Sequence, residues 1–135
     1  MQSASDETVS GIIEKWSAAF NRLDAEALAQ LYSRNAFFFG SKSQLYRGNA
    51  GVAAYFNALP RWGAPTVQFA DRTTAEVNSD LINFAPTASF IVDENTAPLS
   101  VKITWVIARE DDGWKIVSHH VSSQTPLLSD DQAVS

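Results

Sequence analysis

Two histidines and no cysteine leave a narrow choice of reactive groups in this chain. His119 and His120 stand side by side within the apolar run W-K-I-V-S-H-H-V-S-S, residues 114–123. An imidazole titrates near neutral pH, so either ring could carry protons at a pocket wall. Neighbouring side chains on a β-strand point to opposite faces. If this run is a strand, the two rings cannot hold one metal ion from the same side, nor form a relay pair. Each then needs its own explanation.

Alternation puts Val117, His119 and Val121 on one face, and Ile116, Ser118, His120 and Ser122 on the other. The turn before the run decides which face looks inward. A three-residue turn over Asp111–Gly113, closed by a left-handed Gly113, sets Trp105 opposite His119. A two-residue turn would set Trp105 opposite His120 instead. The three-residue form ending in glycine is a common hairpin type, so His119 is expected inside. There it is either an acid/base or a core histidine bonded to a tyrosine or a backbone carbonyl. His120 is expected on the outer sheet face.

Other groups could serve the same site. Tyr32 and Tyr55 lie on predicted helical stripes and could bond a ligand carbonyl or pair within the core. Trp16, Phe20, Phe37, Phe39, Phe56, Trp62 and Trp105 could line an aromatic pocket or simply fill the interior. Asp71 is the carboxylate that would meet His119 if its strand face is inward. Arg47, before a helix N-terminus, could guard a pocket mouth or pair with a surface acid. No phosphate loop, dinucleotide fingerprint, H-E-x-x-H or nucleophile elbow occurs.

Elements that position these groups can be read from periodicity. Val9, Ile12, Ile13, Trp16 and Phe20 mark an amphipathic helix, capped by Asp6 or Ser5. Asp24 caps a second helix with Ala27, Leu28, Leu31 and Tyr32 as its buried stripe. A-F-F-F-G, 36–40, reads as a buried strand, with Phe37 and Phe39 on one side and Phe38 on the other. A third helix starts near Gly48–Asn49, buries Val52, Tyr55, Phe56 and Leu59, and stops at Pro60. Four strands follow: Val67–Val77, Leu81–Val92, Leu99–Glu110 and Trp114–Ser123. Pro86 marks a bulge or an edge. Helices followed by long meandering strands give an α+β domain: a cone-shaped curved antiparallel sheet wrapped around three N-terminal helices. A pocket can remain between sheet and helices.

Composition agrees with one globular domain. The chain has 135 residues, 45% of them hydrophobic and 11% aromatic. The net charge of −5, with ten scattered basic residues, argues against nucleic acid or an anionic membrane as partner. The absence of cysteine excludes disulfides, thiol nucleophiles and cysteine-held metal. No cofactor or metal is expected. M-Q-S-A-S-D-E carries neither a basic nor an apolar leader segment, and the expected location is the cytoplasm. Residues 1–5 and the segment L-S-D-D-Q-A-V-S, 128–135, read as loose polar ends.

One stretch is similar to a known family. T-W-V-I-A-R-E-D-D-G-W-K-I-V-S-H-H, 104–120, resembles the closing hairpin of the nuclear transport factor two-like superfamily. The matching features are Arg109, Asp112–Gly113, Trp114, Ile116, Val117, His119, His120, Ser122 and Pro126. F-N-R-L-D-A-E-A-L-A-Q-L-Y resembles the end of its first helix and its second helix, and Y-R-G-N-A-G-V-A-A-Y-F the start of its third. SnoaL-like domains and the association domain of calcium/calmodulin-dependent protein kinase II are the members it resembles most, over residues 6–126 of a single domain spanning 1–135. The resemblance implies a cystatin-like α+β barrel, with Val117, His119 and Val121 facing the pocket and His120 facing out. Val121 stands where kinase association domains carry a pocket arginine, so that anion-binding character is not carried over.

Two functions are therefore expected in the alternative. The first is a pocket for a small apolar organic ligand, lined by Trp16, Phe20, Tyr32, Phe39, Tyr55, Trp62, Trp105 and His119. Its chemistry, if any, is cofactor-free isomerisation, dehydration or cyclisation of an apolar carbonyl compound, with His119 as catalytic acid/base. The second is a non-enzymatic oligomerisation or binding module. Both expect a homodimer through the outer sheet face, to which Val106, Ala108 and Ile116 would contribute.

Overall fold

A computed structural model describes residues 3–128. Most of the expected polar tail, 129–135, lies outside the described residues. Helix α1 spans Ala4–Asn21 and starts earlier than expected, because Ser3 is its N-cap. The Ser3 hydroxyl accepts from the Asp6 backbone N–H while the Asp6 carboxylate accepts from the Ser3 N–H, a reciprocal capping box. Its apolar stripe of Val9, Ile12, Ile13, Trp16 and Phe20 is buried throughout. Asp24 caps helix α2, Ala25–Ala29. That helix is shorter than expected, and Tyr32 opens strand β1, Tyr32–Phe39, instead of closing the helix.

A short strand not anticipated from sequence, β2 (Leu45–Arg47), returns along β1 and leads into helix α3, Gly48–Asn57. Strands β3 (Thr66–Asn78), β4 (Leu81–Ile91), β5 (Leu99–Glu110) and β6 (Gly113–Ser123) complete the chain. The six strands form one curved sheet in the order β2-β1-β6-β5-β4-β3. Every pairing is antiparallel except β1 with β6, which is parallel. The sheet is thus mixed at one seam, because β1 enters from α2 at the same end as β6 enters from its turn. Pro86 sits where pairing lapses on both sides of β4, opposite a bulge at Asp71–Arg72 of β3.

The closing hairpin reaches the expected register by a different route. Its turn holds two residues, Asp111 and Asp112, with Glu110 paired to Gly113 and Ile107 to Ile116. Taken alone, a two-residue turn at that position would set Trp105 against Ser118. A bulge at Val117 adds the missing residue, and Trp105 pairs with His119. Ile116 and His119 consequently both point inward, and Ile116 belongs to the core rather than to the outer face.

Trp16 anchors the interior. It stacks on Phe20 at 5.3 Å between ring centroids and meets Phe56, Phe69 and Phe90 edge-on at 5.8, 6.0 and 6.1 Å. Offset and edge contacts of this kind add to the stabilisation from burying the rings. No helix among the described residues is long and apolar enough to cross a membrane.

Candidate functional site

His119 is brought inside by β6, flanked by β1 and β5 in the sheet. Its neighbour across β1 is Phe38, whose ring stacks on the imidazole at 4.2 Å and 28°. Its neighbour across β5 is Trp105, whose indole Nε1–H donates to His119 Nδ1 at 2.9 Å. The Tyr32 hydroxyl lies 2.8 Å from the same Nδ1 and accepts from Trp16 Nε1–H at 3.0 Å. Four residues remote in sequence thus share one buried polar chain. Among the described residues, no buried side-chain nitrogen or oxygen is left without a partner, as close packing of a polar network requires.

Burial dominates the electrostatics here. It lowers the His119 pKa to about 3, with a smaller push from His120, so the ring is uncharged at neutral pH. It pushes the Tyr32 phenol up, against a smaller opposing effect of the Trp16 donor. His120 points outward, exposed, with its ring 5.3 Å from that of Phe39. The two imidazoles therefore diverge. Among the described residues no group of three or more His, Asp or Glu side chains is placed to hold a metal ion.

A cavity of about 620 Å³ opens between the helices and the concave side of the sheet, and His119 forms part of its wall. The helices supply Trp16, Phe20, Tyr55 and Phe56; the strands supply Phe38, Phe90, Ile103 and Val121; Trp62 closes in from the loop after α3. Polar groups are few: the buried His119 and Tyr55, and the exposed Ser41, Ser100, Ser122, Ser123, Gln124 and Thr125. Among the described residues, no Asp, Glu, Lys or Arg side chain lines it. The Tyr55 hydroxyl is held by Ser41, accepting from its backbone N–H at 2.9 Å and lying 2.6 Å from its Oγ. Gly40 makes that packing possible, because a Cβ there would lie 2.6–2.7 Å from the Tyr55 ring and hydroxyl and from Phe38.

Of the residues expected at the site, Trp16, Phe20, Tyr55, Trp62 and His119 line the cavity. Tyr32 and Trp105 stand behind His119 and reach the cavity only through it. Phe39 does not belong to the site: it is 38% exposed on the outer face, as is Phe37 at 54%, and Phe38 is the inward ring. Both faces of β1 carry phenylalanine, so residue type alone could not choose between them. Asp71 is exposed at the β3 bulge and accepts from the Thr87 hydroxyl at 2.8 Å, away from His119. Arg47 lies over the Phe37 ring at 5.9 Å, on the outer face and not at the mouth. Phe38 and Ser41 were missed; the signal for Phe38 was its shared parity with Ala36 and Gly40, the two small residues beside it.

Residues 9–126 match the family model described as the SnoaL-like domain. The chain is a SnoaL-like domain. No curated protein matches it in sequence. Among solved structures, a protein of Xanthomonas campestris, provisionally assigned as a calcium/calmodulin-dependent protein kinase II association domain, superposes with a TM-score of 0.80. It is 19% identical over 93% of this chain and 91% of that one. A provisionally assigned dehydratase of the nuclear transport factor two-like family from Streptomyces avermitilis gives 0.76 at 19% identity, covering 89% and 96%. A hexachlorocyclohexane dehydrochlorinase of Novosphingobium barchaimii gives 0.76 at 16% identity, covering 90% and 87%. At these identities the likeness establishes the nuclear transport factor two-like, cystatin-like fold of the SnoaL-like domain and nothing finer.

Proposed function

We propose that this SnoaL-like domain takes up a small, uncharged, largely apolar organic molecule, with His119 as the buried polar anchor of its chamber. The observation that carries this reading is the wall itself: largely aromatic and aliphatic, free of charged side chains among the described residues, and with His119 and Tyr55 as its buried polar groups. Its volume falls within the range of ordinary ligand sites. A charged ligand would lose hydration there without gaining an ion pair, which is costly.

If the molecule is transformed, the fitting class is cofactor-free isomerisation, dehydration or cyclisation of an apolar carbonyl compound, and relatives named as dehydratase and dehydrochlorinase support that class. A strong base is wanting, however. The imidazole pKa is lowered to about 3, and among the described residues no carboxylate joins it in the wall. Binding therefore stands ahead of turnover in this reading. Self-association supplies the partner: Phe37 and Phe39 present two exposed rings on the outer sheet face, where a second copy could cover them.

The chamber is tested by thermal shift with a graded series of cyclic ketones, cyclohexanone to a bicyclic decalone to a steroid enone. A true ligand raises Tm as its concentration passes Kd, with about 2.7 kcal/mol of added stability at a hundredfold excess over Kd. The Val121→Trp variant, whose indole would occupy the chamber, should abolish the shift. A series with no effect, or one equally effective on Val121→Trp, sinks the proposal.

A further inference from the structure

We propose that Trp105 and Tyr32 are positioning residues that fix His119 as the Nε2–H tautomer, so that the imidazole offers the chamber a hydrogen-bond donor and selects ligands carrying an acceptor oxygen. This rests on the chamber being a ligand site, and adds what the ligand must present to it.

The argument starts from the indole. A Trp Nε1–H can only donate. It points at His119 Nδ1 from 2.9 Å, so Nδ1 holds a lone pair and no proton. The neutral ring has one N–H, which must then be on Nε2. The Tyr32 hydroxyl already accepts from Trp16, and its own proton turns to the same Nδ1 at 2.8 Å. The chain of donation is Trp16 to Tyr32 to His119, met from the other side by Trp105. A proton on Nδ1 would confront the indole N–H and break the Trp105 contact, and the Tyr32 hydroxyl would have to reverse from donor to acceptor. Burial adds to this resistance, since it already disfavours the charged ring.

Among the described residues Nε2 has no hydrogen-bond partner, yet it is not sealed off, because no buried side-chain nitrogen there lacks one. His119 lines the chamber, so that is where Nε2–H is free to donate. The lone pair a base would use is turned away from the chamber and engaged twice. A carbonyl, ether or hydroxyl oxygen satisfies Nε2–H; a hydrocarbon leaves it without a partner. Among the described residues, no other titratable group overturns this arrangement. Tyr32 approaches from β1 as a neutral phenol, Tyr55 from α3 has its hydroxyl held by Ser41, β5 brings the indole of Trp105, and α1 brings Trp16. His120 lies on the opposite face, and among the described residues the wall holds no acid, lysine or arginine.

Two measurements test the inference separately from the chamber. Long-range proton–nitrogen NMR on ligand-free protein labelled with ¹⁵N-histidine should show His119 as the neutral Nε2–H tautomer, unchanged from pH 8 to pH 5. An Nδ1–H pattern, or an imidazolium at pH 6, overturns the inference whatever the chamber binds. Trp105→Phe should produce a mixture of tautomers. In parallel, decalone and decalin are compared as a matched ketone and hydrocarbon. Wild type should prefer the ketone by about tenfold, and Trp105→Phe should reduce that preference. Equal binding of the pair by wild type overturns the donor role but keeps the chamber. Failure of both compounds to bind, in a protein with the expected tautomer, removes the chamber reading and with it the ligand-selecting part of the proposal.

Discussion

Lowering the pH from 8 to 5 should cost this protein about 2 kcal/mol of folding stability through His119 alone. The sign follows from which state binds the proton. In the unfolded chain the imidazole titrates near 6.5. In the folded protein burial lowers its pKa to about 3. Between these values the unfolded chain carries a proton that the folded protein refuses. Stability is therefore complete above about pH 6.5 and falls as the pH drops toward about 3. At pH 5 the unfolded imidazole is almost fully protonated, and the loss, RT ln(1 + 10^1.5), is about 2 kcal/mol. That figure is insensitive to the depth of the depression, because any folded value well below 5 gives the same answer. The slope cannot exceed about 1.4 kcal/mol per pH unit for one proton.

The assay is urea denaturation followed by tryptophan fluorescence at pH 8, 7, 6 and 5, for wild type and His119→Asn. The amide oxygen of asparagine can accept where Nδ1 did, but the side chain does not titrate. Carboxylates contribute little over this interval because they ionise mainly below pH 5; the Asp24 pKa is lowered further by its cap bond to the Ala27 N–H. The absolute stability of the variant is immaterial. What counts is the difference between pH 8 and pH 5, which should shrink by about 2 kcal/mol in His119→Asn. Parallel curves for the two proteins, or a wild-type stability flat to pH 5, would show that the ring is not held neutral by burial.

Three further predictions rest on separate contacts. Tyr32→Phe leaves the buried Trp16 indole N–H without its acceptor and should destabilise by about 1–3 kcal/mol in chemical denaturation; a change below about 0.5 kcal/mol contradicts the network. Gly40→Ala places a methyl group inside contact distance of Tyr55 and Phe38, so it should cost about 1–3 kcal/mol and weaken ketone binding, whereas Gly63→Ala, with open space around it, should do neither. Wild type should sediment as a dimer, and Phe39→Asp as a monomer that keeps its chamber; dimers of equal affinity in both would move the interface elsewhere.

Much of the fold was legible because its long elements keep a single period. α1 repeats every three to four residues, and the Val101, Ile103, Trp105 and Ile107 face of β5 alternates without a break. The failures cluster where the chain departs from regularity without a glycine or proline to mark it. α2 passes into β1 through Gln30 and Leu31 with neither glycine nor proline between them, so its apolar spacing carries on to Tyr32, which opens the strand instead. β2 has three residues, too few for any period to register. The site was partly legible for the same reason. His119 and the large aromatic residues stood out by type. Which phenylalanine of β1 faced the imidazole depended on pairing with β6, which lies some eighty residues later in the chain.

The closing hairpin shows why strand parity is a weaker guide than it looks. The facing of a residue far from a turn depends on the sum of the turn length and every intervening bulge. A two-residue turn alone sets Ser118 inward with Ile116; a three-residue turn alone sets His119 inward with Val117. The protein has the short turn and the Val117 bulge together, and so obtains Ile116 and His119 inside at once. That combination has a chemical consequence. Ile116 packs against Ile107 deep in the core, which fixes the strand, while the bulge turns the imidazole toward Tyr32 and Trp105 on either side. A hairpin without the bulge could seat one of these residues but not both. The donor geometry at His119 is thus built by an irregularity in the ladder, and the indole of Trp105 and the phenol of Tyr32 behind it hold the ring where that irregularity puts it.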